Sequence, residues 1–193
     1  MMMMRKYLLL LLPLLLLIAV VNSLVIRPAT SKDIFSARKI LFQEAMNPLS
    51  ISERTLLVAC DDDDDDDDDD DNDNDKIMVG FGQVRPLDAA YSELASLYVD
   101  PDHRHQGIGS ALVEKILERH DADVYSPSKV CLLTLLPTTK FYEPHGFVVQ
   151  TILDDLPATL QFEFKAGSLV SSFLGNDICC MVRDKKKQNV SRE

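Results

Sequence analysis

ELASLYVDPDHRHQGIGSALVEKILER, residues Glu93 to Arg119, decides how the whole chain reads. It opens with alternating apolar residues, Leu94, Leu97 and Val99 among them, and breaks at Asp100-Pro101. It then passes through His103-Arg104-His105-Gln106-Gly107-Ile108-Gly109 and turns periodic. Leu112, Val113, Ile116 and Leu117 recur at helical spacing, with Glu114, Lys115, Glu118 and Arg119 on the other side. The order is therefore strand, glycine loop, amphipathic helix. A first turn built from Gly107, Ile108, Gly109 and Ser110 leaves several backbone N–H groups without an intrahelical partner and with little side chain over them. Such a terminus attracts anions, phosphate above all. A dinucleotide loop needs three glycines and an acidic residue about 20 positions on within a βαβ unit. Two glycines after a basic approach point instead to a different phosphate-bearing cofactor.

The flanking sequence alternates strands and helices. Leu24 to Pro28 reads as a short strand, and Thr30 or Ser31 can cap a helix whose apolar face is Ile34, Ala37, Ile40 and Leu41, running to about Ala45. Asn47-Pro48 stops it. Thr55–Cys60 and Ile77–Val84 predict neighbouring strands, the second carrying Gly80 and Gly82, which signal a bulge or a close backbone approach. Arg85 to Asp88 turns into the strand at Glu93–Val99. Lys129–Leu136 is almost wholly apolar, as a central strand covered on both faces would be. A short helix from Pro137 to about Glu143, the segment Phe147–Gln150, a helix from Ala158 to about Phe173 and a strand at Asp177–Arg183 complete an α/β pattern.

At 193 residues the chain suits one domain. Its formal charge of −11 misleads, because Asp61–Asp75 holds 13 aspartates and subtracting them from −11 leaves +2. Residues 61–75 read as a solvated, disordered loop at a hairpin tip, since charges so dense repel and extend. A calcium site would use carboxylates, but the run lacks the turn-making glycine that an ordered loop needs, so diffuse cation screening is the reading. Cys60, Cys131, Cys179 and Cys180 have neither zinc-site spacing nor a disulfide framework and read as small hydrophobes. No metal is called for.

Residues 1–23 read as a signal peptide or membrane anchor: Arg5 and Lys6 precede an apolar run from Leu8 to Val21, with Val21-Asn22-Ser23 as a cleavage site. Continued to Ile26, the run would make a marginal span close to the about 20 residues required. Arg27, Lys32, Arg38 and Lys39 outnumber the basic residues ahead of the run, so charge leaves the orientation open. The expected location is the secretory pathway or a membrane, through residues 4–26, or a plastid entered by way of a signal sequence. The tail, 184–193, is basic.

Arg104-x-x-Gly107-x-Gly109, after a strand ending in Val99-Asp100-Pro101, resembles the acetyl-CoA loop of the GNAT superfamily of N-acetyltransferases. Phe141-Tyr142-Glu143-Pro144-His145-Gly146-Phe147 resembles that family's second signature, in the right order and separation. The resemblance extends over residues 24–183 and implies an α/β fold, a mixed, mostly antiparallel central sheet flanked by helices and splayed at the acetyl-CoA strand. Met46-Asn47-Pro48-Leu49 is similar to a plant and cyanobacterial branch. The implied co-substrate is acetyl-CoA, held by backbone amides around Gln106, Gly107, Ile108, Gly109 and Ser110, with Arg104 adding charge and His105 in the same loop. Leu97, Tyr98 and Val99 would present main-chain groups to the pantetheine arm and a backbone amide to the thioester oxygen.

The resemblance also implies Tyr142 as general acid toward the CoA sulfur and Glu93 as general base, directly or through water. A tyrosine of ordinary pKa near 10 is protonated at pH 7 and able to donate. His103 and His145, in turns, are further proton carriers. The family often has an asparagine seven positions before the tyrosine, where this chain has Leu135. The expected activity is transfer of an acetyl group to a primary amine, whether a peptide N-terminus, a lysine or a small amine, by direct attack. A non-catalytic acyl-CoA-binding or membrane-tethered protein on the same scaffold is the alternative. No nucleic-acid partner is indicated, and neither the acceptor nor the oligomeric state is written in the sequence.

Overall fold

The computed structural model describes residues 24–44, 46–61, 77–151, 155–173 and 177–185. β1 (Leu24–Pro28) is extended as expected, and Thr30 caps α1 (Ser31–Gln43). The cap is reciprocal: Asp33 N donates to Thr30 Oγ1 at 3.4 Å, and Thr30 N donates to Asp33 Oδ2 at 2.7 Å. Arg27 of β1 donates to the same carboxylate at 2.6 Å, tying strand to helix. Burial works to raise the Asp33 carboxyl, but hydrogen bonds from Arg27 and Thr30 bring it below its ordinary range. The expected helix end, about Ala45, lies outside the described residues.

β2 (Leu56–Asp61), β3 (Met78–Pro86), β4 (Tyr91–Val99), β5 (Lys129–Leu135), β6 (Val148–Val149) and β7 (Ile178–Asp184) join β1 in a seven-stranded sheet of order β1-β2-β3-β4-β5-β7-β6. It is mostly antiparallel and flanked by helices, as the resemblance implied. β5 takes the interior position foreseen from its almost wholly apolar run. β4 and β5 are the parallel pair, and their register covers only Tyr91↔Lys129, Ser92↔Val130 and Glu93↔Cys131. Leu94–Leu97 and Leu132–Leu135 continue beyond it without a partner across that seam, which is the expected splay.

α2 (Ile108–Ala122) follows the glycine loop, and α3 (Thr139–Tyr142) is a single turn flanked by 3-10 turns at Leu136–Thr138 and Glu143–His145. α4 (Ala158–Phe173) precedes β7. β4 starts at Tyr91, two residues before its expected start. The Asp88 carboxylate accepts from Ala90 N (2.7 Å) and Tyr91 N (2.8 Å), and this Asx turn closes the hairpin early.

The chain divides into two compact units, residues 1–81 with 98–112 and residues 82–97 with 113–193. In the first, Ile34, Ala37 and Leu41 of α1 pack with Leu56, Val58 and Phe81. There a Cβ on Gly80 would meet Tyr98 O at 2.9 Å, the close approach the glycine signalled. In the second, Tyr91, Cys131, Leu156, Leu160 and Cys180 form the core. There a Cβ on Gly82 would meet Ile116 and Leu97. All four cysteines are free and three are buried, as small hydrophobes should be; burial pushes the Cys180 thiol up to about 12.

The N-terminal segment (1–23), the aspartate loop past Asp61 and the tail past Lys185 lie outside the described residues. Among the described residues no helix is long and apolar enough to cross a membrane.

Candidate active site

The loop that opens α2 belongs to the first unit. Arg104 Nε donates to Val99 O at 3.0 Å, folding the loop back on the end of β4. Asp100 N donates to Val79 O at 2.9 Å, and the Asp100 carboxylate accepts from Asp102 N at 3.0 Å and contacts His103 Nδ1 at 3.2 Å. Those bonds, the Asp102 amide first, hold the Asp100 carboxyl below its usual range. His103 is thus engaged within its own turn.

His105 (φ 63°) and Gly107 (φ 87°) both adopt left-handed conformations. Residues of alternating hand turn successive N–H groups toward one concave face, the geometry of an anion nest. The first helical bond runs from Ala111 N to Gly107 O at 3.0 Å, so the N–H groups of Ile108, Gly109 and Ser110 lie ahead of it. A Cβ placed on Gly107 would meet nothing within 4 Å. Gly107 therefore opens to the surface at the mouth of the helix, with Arg104 and His105 exposed beside it, and the loop fits a diphosphate. Tyr98 and Val99 lie in this unit, with the Tyr98 ring stacked on Phe81 at 5.2 Å. Burial pushes the Tyr98 phenol up.

Glu93, Leu97 and Tyr142 belong to the second unit. Glu93 occupies the last register position that β4 shares with β5. It is only 6 % exposed, and its Oε2 accepts from Arg85 Nε at 2.8 Å and lies 2.7 Å from Arg85 Nη2. Glu163 is 3.6 Å from the same guanidinium. Burial raises the Glu93 carboxyl above its ordinary range, and Arg85 only partly opposes it.

Tyr142 lies in the turn after β5, its ring edge-on to Phe141 (4.8 Å) and Phe147 (6.0 Å). Gly146 closes the turn at φ 85°, donating to Glu143 O at 3.0 Å. This explains why the signature carries glycine there. Burial pushes the Tyr142 phenol up to about 12, against a hydrogen bond with Thr134 that lowers it. His145 packs against Phe141 at 5.7 Å, and burial lowers its pKa. Leu135, at the asparagine position, is 39 % exposed.

Three features escaped sequence reasoning. Ser96 sits at φ 56° in the middle of β4, and its hydroxyl accepts from Gln83 Nε2 at 3.3 Å. A left-handed non-glycine residue inside a strand costs on the order of 1 kcal/mol and is held by its surroundings. Nothing local announces it; the pair of small residues Ala95-Ser96 was the only hint. Arg85 was read as part of a turn, because its partnership with Glu93 depends on the hairpin register. The third is a buried chain in which Ser92 Oγ lies 3.1 Å from His120 Nε2, and His120 Nδ1 lies 3.3 Å from Asp121 Oδ1. Arg183 grips Asp121 at 2.6 and 3.1 Å, and Lys185 Nζ donates to Asp121 O. Ser92 and His120 are both buried, so this triad-like trio is a brace between β4, α2 and β7 and no accessible nucleophile.

A family model described as an acetyltransferase (GNAT) domain matches residues 53–149. A search of curated protein sequences gives no match. Among solved structures, N-acetylglutamate synthase from Neisseria gonorrhoeae, complexed with coenzyme A and N-acetyl-glutamate, is similar at a TM-score of 0.58 and 19% identity, over 83% of this chain and 35% of that one. A Mycobacterium tuberculosis protein in complex with CoA is similar at a TM-score of 0.58 and 22% identity, over 83% and 98%. An acetyltransferase of the GNAT family from Staphylococcus aureus is similar at 0.52 and 18%, over 84% and 99%. The chain spans about a third of the length of the synthase, and at these identities the likeness is one of fold.

Proposed function

The chain belongs to the GNAT family of acetyl-CoA-dependent acetyltransferases, and from that premise we propose that it moves the acetyl group of acetyl-CoA to a primary amine by direct attack. The observation that carries the reading is the left-handed, unobstructed turn at His105 and Gly107 that opens α2. Its free N–H groups and Arg104 suit the diphosphate of the co-substrate, and the main chain of Leu97, Tyr98 and Val99 runs at the end of β4 as a track for the pantetheine arm.

The reaction forms a C–N bond and breaks the thioester C–S bond. The amine must lose a proton and the sulfur must gain one. Glu93, held by Arg85 and with its affinity for a proton raised by burial, takes the first, directly or through a water. Tyr142, which keeps its phenolic proton across the working pH range, supplies the second and is reprotonated from solvent. The acceptor class is a peptide N-terminus, a lysine or a small amine.

Incubating the protein with acetyl-CoA and a panel of peptides, lysine and small amines, with CoA release followed, tests the assignment. Tyr142→Phe should cost about 10²-fold in rate while CoA affinity holds. Absence of both CoA release and CoA binding sinks the reading; CoA binding without release from any acceptor favours a non-catalytic acyl-CoA binder. We further propose that residues 1–23 direct the chain to the secretory pathway or a membrane, on the apolar run Leu8–Val21 after Arg5-Lys6. Sequencing the N-terminus of the protein recovered from cell fractions checks this: a soluble cytosolic pool beginning at Met1 rejects it.

A further inference from the structure

α1 buries one side and leaves a second side that carries aromatic and basic residues. Ile34, Ala37 and Leu41 face the core, while Phe35 and Phe42 are each 77 % exposed. The two phenylalanines are two turns apart and lie over one another on the outward side. Arg38 and Lys39 fall three and four residues from each of them, so both cations sit between the rings. Lys32 is exposed on the same side, and none of the exposed residues of α1 is acidic, in a chain of formal charge −11. The helix's own acid, Asp33, is buried and held by Arg27; Glu44 sits at the C-cap, and Glu53, which accepts from Ser31 Oγ at 2.5 Å, lines a groove with Arg38.

We propose that this face of α1 docks on a lipid bilayer bearing anionic headgroups. Two large aromatics left exposed by the described residues are unfavourable on a freely diffusing surface. Paired with interleaved cations, they match the chemistry of an interfacial helix, whose rings enter the headgroup boundary while the basic side chains meet lipid phosphates and carboxylates. The charge complementarity favours this surface over a second copy of the chain, which would set Arg38 and Lys39 against themselves. The sequence ahead of α1 agrees, because only nine residues separate the end of the apolar run Leu8–Val21 from the start of the helix at Ser31. The proposal does not depend on acetyl transfer.

The chain has no tryptophan, so a single one reports its own surroundings. Full-length Phe42→Trp, with Phe35→Trp as a second reporter, would be mixed with vesicles of equal parts phosphatidylcholine and phosphatidylserine. Blue-shifted emission and quenching by brominated lipid are expected, with Tyr125→Trp, at an exposed position outside α1, unchanged. Arg38→Gln with Lys39→Gln in the reporter background should raise the vesicle concentration at half-shift about 25-fold, about fivefold for each charge removed. No shift, or the same shift on phosphatidylcholine alone, overturns the proposal. So does emission already blue-shifted without lipid: if it depends on protein concentration a second copy covers the face, and if it does not the chain's own N-terminal segment does.

Discussion

With Glu93 as the base proposed above, its pairing with Arg85 would set the acid side of the reaction. Burial raises the Glu93 carboxyl and the guanidinium opposes that shift, so this group ionises above the ordinary carboxylate range and, as a base, would act only above its own pKa. Arg85→Met removes the opposing charge. The Glu93 pKa should then rise further and the acid limb of the pH–rate profile should move to higher pH, with a parallel shift in a carbon-detected NMR titration of the Glu93 carboxyl. An unmoved limb would show that Glu93 is not the base. Such a pairing was invisible in the sequence, where the resemblance offers Glu93 as a base and Arg85 reads as part of a turn. Tyr142 could be picked out in advance because its signature is local: an aromatic run, a proline and a glycine in a single turn.

Along β3 and at the entrance to α2, two glycines do different work, and substitution separates them. Gly107 holds φ 87° in open space, so Gly107→Ala carries only the conformational cost of a left-handed alanine, on the order of 1 kcal/mol, while narrowing the anion nest. Gly80→Ala drives a methyl to 2.9 Å from Tyr98 O and 3.2 Å from Leu112 Cδ1, and overpacking against a backbone atom costs about 1–3 kcal/mol. Denaturant titration should rank Gly80→Ala as less stable than Gly107→Ala, while CoA titration should rank Gly107→Ala as the weaker binder. The opposite order in both would refute the assignment of nest and packing site. Glycine-x-glycine and the following 3.6-residue period made this element readable from residue order. Ser96 did not show itself, since its left-handed backbone is imposed by the strands beside it.

For the molecule as a whole, the brace Ser92–His120–Asp121–Arg183 links stability to pH. Burial lowers the His120 pKa, outweighing the Asp121 carboxylate that favours the charged ring. The unfolded chain therefore takes up a proton more readily than the fold does. His120 contributes its full stability above the ordinary histidine pKa of about 6.5 and loses it as pH falls toward the lower folded value. Melting temperature should decline between about pH 7 and 5, in the range where histidine titrates, and His120→Asn should be less stable at neutral pH but flatter across that window. A variant that keeps the wild-type slope would place the effect elsewhere.

Element order, the two signatures, the glycine turn and the family were all legible in residue order, because hydrophobic period, capping and glycine placement act over only a few neighbours. The left-handed Ser96, the partnership of Arg85 with Glu93 and the buried His120 came from folding. Each joins residues distant in sequence or bends a strand against its neighbours, and sheet register, which no short stretch encodes, governs them all.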